Sequence, residues 1–454
     1  MSAAGETTIQ YVYVNPAVAN QEMKRVRLLH LSDIHFHPPG AIGHDPDYAL
    51  REDLRLDLAA MVAARGPLDA ILVTGDIAFS GAKVEYENAS EWLDAMADTG
   101  GCGREMVYVC PGNHDIDREF IRKNGLVEDL HDSVRGRPSH FEREQHLMRR
   151  LEQDVARELV YSPLTEYNKF AARYDCAFFA DERYAWDSDD FVLNDGSALR
   201  IRGLNSALLS GPRDAPGSLF LGAKAYTITR RAGVEYLTMC HHPPSWLIDG
   251  AEAHRSLEDR ARILLFGHEH DQRIAFGRDN VVLYAGATNP ARDEKGWKPG
   301  YNIIEIWVER AGDVRQLHVE VVAREWQDRP VQFRNHEDRR NRPTHVHHFE
   351  LEPWIAPHAS EAPAMVTPSE NGGPTAEAPA VKEESPRPPA MRSILHAFFR
   401  LPISRKSEIV GKLGLLDDSE TRLPEVERFK RAIERAKQQG KLETLWKMTM
   451  ERGS

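Results

Sequence analysis

Short apolar runs alternate with helix-spaced patterns through the first quarter of the chain. Val26 to Leu31 reads as a strand ending in Ser32-Asp33. Residues 48–64 carry Leu50, Leu54, Leu58, Met61 and Val62 at helical spacing. Ala70 to Thr74 is an apolar run of buried-strand type, closed by Gly75-Asp76. Lys83 to Ala97 predicts a second helix with Val84, Trp92, Leu93 and Met96 inward, and Met106 to Cys110 a third strand, broken by Pro111-Gly112. Strand, helix, strand, helix, strand implies a sheet covered by helices, the α/β class.

Residues 116–198 lose this rhythm. They are charged and mostly helical in pattern, with an amphipathic stretch from Phe141 to Leu159, and read as an insertion that covers a site from above. Strand patterns resume at Leu199–Leu204, Val234–Cys240, Ile263–Phe266, Val281–Tyr284, Tyr301–Val308 and Leu317–Val322, the later ones so closely spaced that an antiparallel half is expected. Residues 1–25 form a polar extension and 326–351 a connecting segment. Nine of the 27 prolines then fall between Pro353 and Pro389, so 352–390 reads as a disordered linker that cannot bury enough apolar area to fold. Residues 391–454 read as a small helical module: Ile394, Leu395, Phe398 and Phe399 mark a first helix, Ile409 and Leu413 a second with Ser404 as N-cap, Val426, Phe429, Ile433 and Ala436 a third, and Leu442, Leu445, Trp446 and Met450 a fourth.

Composition narrows the function. The 454 residues carry 58 Lys+Arg against 70 Asp+Glu, a net −12, which argues against a chain that coats nucleic acid or anionic membrane along its length. The charge is uneven: 391–454 holds 14 basic and 9 acidic residues, a net +5, so the remainder carries −17. Cys102, Cys110, Cys176 and Cys240 are too scattered for a disulfide framework or a four-cysteine zinc site. No apolar run approaches the ~18 residues of a bilayer span, and Met1 to Thr8 lacks the basic and apolar regions of a secretory signal. A reducing, cytoplasmic setting without membrane contact is expected.

The 20 histidines hold the chemistry. Asp33-Ile34-His35 sets a carboxylate and an imidazole on one side of an extended segment. Gly75-Asp76 and Gly112-Asn113-His114-Asp115 each follow a strand, as does Cys240-His241-His242-Pro243, and Gly267-His268-Glu269-His270 puts two imidazoles on one side of a turn. Strand ends on one side of an open sheet converge, which would gather Asp33, His35, Asp76, Asn113, His241, His268 and His270 in one pocket. Carboxylate, amide and imidazole donors without thiolate suit Mn, Fe or Zn. Seven ligands exceed one tetrahedral site and suit two ions about 3.5–4 Å apart, bridged by a carboxylate.

In this order the motifs resemble the calcineurin-like metallophosphoesterases, whose pattern is Asp-x-His, Gly-Asp, Gly-Asn-His-Asp/Glu, a strand-end His and Gly-His-x-His. The resemblance covers 26–325. It implies a four-layer α/β/β/α sandwich, with the small C-terminal α-helical module outside it, and a dinuclear centre. Asp33, His35 and His270 would hold one metal, Asn113, His241 and His268 the other, and Asp76 both; His241 is chosen over His242 on family spacing to the proline. His114 would stabilise charge at the scissile phosphate or protonate the leaving group, with Asp115 orienting its ring. Two cations would lower the pKa of a bound water, and the hydroxide would attack phosphorus in line.

Thr74 to Gly81, Pro111 to Asp117 and His241 to Pro244 look most like the cyclic nucleotide phosphodiesterase branch. The expected substrate is therefore a phosphodiester or phosphomonoester, with a nucleotide among the candidates. Asn205-Ser206 reads as a pocket wall or a turn, and Arg118 as a phosphate contact or a surface residue. A nuclease is the alternative enzyme, although Arg135, Arg137, Arg143, Arg149 and Arg150 lie among many acids and form no clean basic track. A third reading is an effector module recruited to a protein partner through 391–454, whose layout is similar to effector-associated modules of bacterial conflict systems; the same helices could instead dock on their own catalytic domain.

Overall fold

The computed structural model describes residues 24–38, 45, 47–179, 184–290, 298–355 and 390–451. Most of the expected N-terminal extension and of the Pro-rich linker lie outside these residues. The opening unit is β1 (Val26–Leu31), α1 (Tyr48–Arg65), β2 (Ala70–Val73), α2 (Lys83–Gly100) and β3 (Val107–Val109). β1 pairs in parallel with β2, and β2 with β3. The insertion follows as α3 (Arg118–Lys123), α4 (Gly125–Arg135), α5 (His140–Leu151), α6 (Asp154–Tyr161) and α7 (Thr165–Ala171). The single helix expected from Phe141 to Leu159 is thus two. Gln153 is extended (φ −95°, ψ 120°), and Asp154 opens a fresh first turn, where a carboxylate favours a helix start.

A second sheet is built from β4 (Ala185–Asp187), β5 (Phe191–Val192), β6 (Ala198–Leu204), β7 (Val234–Cys240), β8 (Ile263–Phe266), β9 (Arg273–Phe276) and β10 (Val281–Tyr284), with α8 (Ala223–Tyr226) before β7 and α9 (Gly250–Glu258) before β8. Its order is β4-β6-β7-β8-β10-β9, with β5 on β6. β11 (Gly300–Ala311), β12 (Val314–Asp328), β13 (Val331–Asn335) and β14 (His345–Leu351) return antiparallel to the first sheet, which runs β13-β12-β11-β1-β2-β3 with β14 on β12. Residues 326–351 are therefore sheet and not the expected connection. Only Phe333, Phe349 and Leu351 of β13 and β14 are buried apolar side chains, too sparse a pattern to announce two outer strands.

The inner strands of the second sheet serve two cores. In β7, Leu237 and Met239 join the core shared with the first sheet, while Tyr236 and Cys240 join the one with residues of α8 and α9. β8 divides likewise, Ile263 and Leu265 against Leu264 and Phe266. Burial on both faces makes these strands unbroken apolar runs in the sequence. The arrangement is the mixed two-sheet, helix-covered α/β sandwich expected, with C-terminal helices α10 (Met391–Phe399), α11 (Ile403–Lys412), α12 (Glu425–Gln438) and α13 (Leu442–Met450). α11 starts after Pro402, so Ser404 lies inside it and is not its N-cap.

Of the two arrangements open for these helices, α10 adopts docking. Ile394, Leu395 and Phe398 are buried in the core shared with the catalytic sheets. β3 is an outer strand, and its alternate carbonyls point away from β2. Arg392, 6% exposed, donates from Nε and Nη2 to Glu105 O (3.1 and 3.0 Å) and from Nη2 to Val107 O (2.8 Å). Its guanidinium also lies over the Tyr108 ring, 4.0 Å from the centroid. Tyr167 Oη of α7 donates to the next outward carbonyl, Val109 O, at 3.1 Å. Asp94 of α2 meets His396 (3.7 Å) and Arg400, and Lys430 meets Asp175 (2.7 Å).

Replacing Arg392 by Ala would leave buried carbonyls without donors. The expected cost is about 2 kcal/mol of stability, read as a lower urea midpoint for the full chain. The exposed Arg422→Ala should leave the midpoint unmoved, and equal midpoints for the two variants would contradict this role for Arg392.

Candidate metal centre

The segments after β1 and β2 stay paired beyond the strands. Asp33 N donates to Gly75 O (3.0 Å), and Ile34 N and His35 N both donate to Asp76 O (2.9 and 3.0 Å). This is possible because the chain turns through left-handed conformations. Asp33 (φ 53°), His35 (51°), Asp76 (51°), His268 (71°) and His270 (55°) all have positive φ, five of the seven non-glycine residues that do so among the described residues. Asp and His are among the side chains best tolerated there, and such strain gathers at functional sites.

All seven expected donors meet in one cluster. Asp76, almost fully buried, has Oδ2 3.2 Å from His241 Nε2 and 3.4 Å from His35 Nε2, while its Oδ1 accepts from His114 N (2.7 Å). Asp33 Oδ1 lies 3.2 Å from His270 Nε2, and its Oδ2 accepts from Ser32 Oγ (2.5 Å) and His268 N (3.2 Å). Asn113 Oδ1 is 3.3 Å from His241 Nε2 and 3.1 Å from His242 Nε2. His268 packs against His241 and His242, with ring centroids 5.2 and 4.6 Å away. His242 thus stands beside His241 in the cluster, held by Ser206 Oγ at its Nδ1 (2.9 Å). Ser206 reaches the site through this bond. Asn205 spends its Oδ1 on Ala207 N, and Arg118 Nε donates to Asn113 O (3.1 Å), which ties it to the backbone of the site.

Outer partners fix which nitrogen faces inward. Thr74 O takes the proton of His241 Nδ1 (2.7 Å), because a carbonyl can only accept, so Nε2 of the neutral ring presents its lone pair to the cluster. His114 is held the same way, Nδ1–H to Phe79 O (2.7 Å). This corrects the expected role of Asp115. Its carboxylate faces away from the imidazole and accepts from Ile77 N, Ala78 N, Gly112 N and Tyr86 Oη, tying together the turns that carry Asp76 and Asn113. A buried carboxylate among amide donors is better satisfied than one beside a ring already bonded elsewhere. Burial and the Asp76 charge push Asp115 up to about 7, against the amides of Gly112, Ala78 and Ile77.

The electrostatics separate the imidazoles. Burial disfavours the charged form of His241, yet Asp76 and Asp33 outweigh it and raise the ring to about 9. Burial, with the His241 charge, pulls His268 down to about 4. His114 is lowered by burial, against the pull of Asp76. Cys240 is pushed up by burial to about 12 and stays a thiol, leaving an oxygen and imidazole donor set.

That set fits divalent cations. His35 Nε2 is buried and makes no well-directed hydrogen bond, the condition of an atom whose partner is an ion. The groups Asp33-His35-His270 and His241-His242-His268 each bring ligand atoms within 4.8 Å of one another, and so does Asp33-Asp76-His241, which lies between them.

A helix-covered two-sheet α/β sandwich with a carboxylate–imidazole cluster at its strand ends is the framework of a phosphoester hydrolase. The family model described as calcineurin-like phosphoesterase matches residues 26–272, more than half of the chain, and the chain belongs to that family. A model described as a GTPase-associated adaptor domain matches residues 390–451. The chain is 28% identical over 212 residues to YydB of Bacillus subtilis, described as an uncharacterized metallophosphoesterase-like protein; the match covers 46% of this chain and 40% of that protein, so it spans well under half of the relative's length. Similar solved structures include Plasmodium GAP50 (10% identity, TM-score 0.38, 73% of this chain and 90% of that one) and zinc-bound Vps29 of Entamoeba histolytica (9% identity, TM-score 0.26, 72% and 99%).

The turn that carries Asn113 is packed too tightly for any side chain at Gly112, where a Cβ would stand 2.1 Å from Asp76 Oδ1 and 2.6 Å from Asp76 N. Gly112→Ala should therefore lose bound metal as measured by elemental analysis. Gly125→Ala, where a Cβ meets nothing within 4 Å, should keep it. Equal metal content in both would show that the close approach of Gly112 to Asp76 is not needed to hold the metal.

Proposed function

We propose that the chain is a dinuclear metal-dependent phosphoesterase that hydrolyses a phosphodiester or phosphomonoester, with Asp33, His35 and His270 holding one divalent cation, Asn113, His241 and His268 the other, and Asp76 shared. The observation that carries the reading is the single Asp76 carboxylate, whose Oδ2 faces both His35 and His241. Cations bound there supply Lewis-acid activation of water and of the phosphoryl oxygens. The protein's own groups do the rest. Thr74 O holds neutral His241 in one tautomer, Phe79 O orients the His114 ring through its Nδ1–H, and the turns around Asp33 and Asp76 keep the carboxylates in place. His114 in its charged form keeps Nδ1–H on Phe79 O and offers Nε2–H to the leaving oxygen. As the P–O bond breaks, that oxygen takes the proton, the hydroxyl from water stays on phosphorus, and the proton released by the water restores the charged His114 ring.

The nuclease alternative finds little support. Arg135 of the insertion is spent on Leu209 O and lies beside Asp132 and Asp214, and Arg143 donates to Arg135 O. A role in a protein complex has a specific basis in the adaptor-domain match, and Ile403, Leu416 and Met450 of that module are exposed. No helix among the described residues is long and apolar enough to cross a membrane. A photo-cross-linker at Ile403 should capture a GTPase-containing assembly; recovery of the chain's own catalytic domain alone would oppose the adaptor reading.

Two variants test the chemistry. His114→Ala should lower turnover of an aryl phosphodiester about 10²-fold or more with metal content nearly intact, and parallel loss of metal would make His114 a ligand instead. Asp76→Ala should abolish binding of the second ion, and two ions retained in that variant would remove the bridging role.

A further inference from the structure

Phe79 is a large apolar side chain, 43% exposed, at the edge of the candidate centre. Its backbone is fixed at both ends: Phe79 N donates to Phe36 O (3.1 Å), and Phe79 O accepts from His114 Nδ1 (2.7 Å). The residue that orients His114 through its carbonyl thus presents its ring beside the same imidazole. The Phe79 ring centroid is 5.3 Å from that of His114 at an interplanar angle of 35°, and 4.1 Å from that of His37 at 36°. His35 meets the Phe79 ring edge-on at 6.3 Å. Three rings therefore run outward from the centre in the order His114, Phe79, His37, with modest tilts between neighbours. Between these two neighbours part of the Phe79 ring stays exposed, and offset or edge-to-face contact with that part lets a further ring lie against it.

We propose that Phe79, flanked by His37 and His114, is a stacking platform for a planar ring carried on the leaving group, and that it selects phosphoesters of aryl alcohols or nucleosides over those of simple alkyl alcohols. The inference rests on the phosphoesterase reading and on the place of His114 at the leaving oxygen. A leaving group that takes a proton from His114 Nε2 departs past this imidazole, and the next surface it meets is the Phe79 ring. The platform acts on the ring alone and involves no bond-making step.

The test is calorimetric binding of hydrolysis-inert phosphonates to the metal-loaded full-length protein. Methylphosphonate, which has no ring, sets the baseline, and phenylphosphonate and an adenosine phosphonate carry the two kinds of ring. Wild type should bind at least one ring-bearing compound about three- to tenfold more tightly than methylphosphonate, the range that one aromatic pair supplies. The larger gap identifies the aryl or the nucleoside class. Phe79→Ala should erase the gap and Phe79→Trp should keep it. A gap that survives in Phe79→Ala, or none in wild type although methylphosphonate binds, overturns the platform while leaving the phosphoesterase reading intact. Failure of every phosphonate to bind the loaded wild type overturns both.

Discussion

The centre depends on how closely the chain segments around Asp76 approach one another. Its carboxylate stands between imidazoles from two sheets, and the backbone of Gly112 passes so near that a single methyl group would collide with it. A second such approach occurs at Gly267, where a Cβ would lie 2.1 Å from Ser32 Oγ and 3.1 Å from Asp33 Oδ2. Glycine is required because at Gly112 two neighbouring loops of the first sheet, and at Gly267 a loop of the second sheet and one of the first, must touch for their donors to share a volume of a few ångströms. The left-handed turns at Asp33, His35, Asp76, His268 and His270 serve the same end. They cost conformational energy that the surrounding hydrogen bonds must over-determine.

Assembling two buried carboxylates and several imidazoles in such a space poses an electrostatic problem. The raised His241 and the lowered His268 describe one solution, in which a proton on His241 faces Asp76 and Asp33 while His268 stays neutral. Cations are another, since they take the place of that proton and give His35 Nε2 a partner. Asp115 stands outside this exchange. Its four donors make it a clamp between the Asp76 and Asn113 turns, and its contribution to the centre is the geometry of its neighbours.

Much of this was legible in the sequence. The strands before the motifs are short runs with many buried apolar side chains, so β1, β2, β3, β7 and β8 stand out, and each chemical motif follows one. The strand-end motifs gather the donors, with the family resemblance choosing His241 over its neighbour, and the structure places all seven in one cluster. Interactions that use the backbone left no trace. Phe79 O orients His114, yet any residue at position 79 would supply a carbonyl, so the sequence carries no sign of it and the family resemblance points to Asp115 instead. His242 was set aside on spacing to the proline, although the site draws it in through Ser206. Outer strands β13 and β14 were missed because half-exposed strands bury too few apolar side chains to stand out from a polar connection.

Arg392 gives the C-terminal helices a role that sequence similarity to an adaptor does not suggest. With Tyr167 it occupies the outward carbonyls of β3, one of the two end strands of the first sheet. A bare margin of this kind invites edge-to-edge self-association. With α10 in its seat that edge has no free outward carbonyls to offer, and a partner that lifted α10 away would have to bring hydrogen-bond donors of its own to replace Arg392.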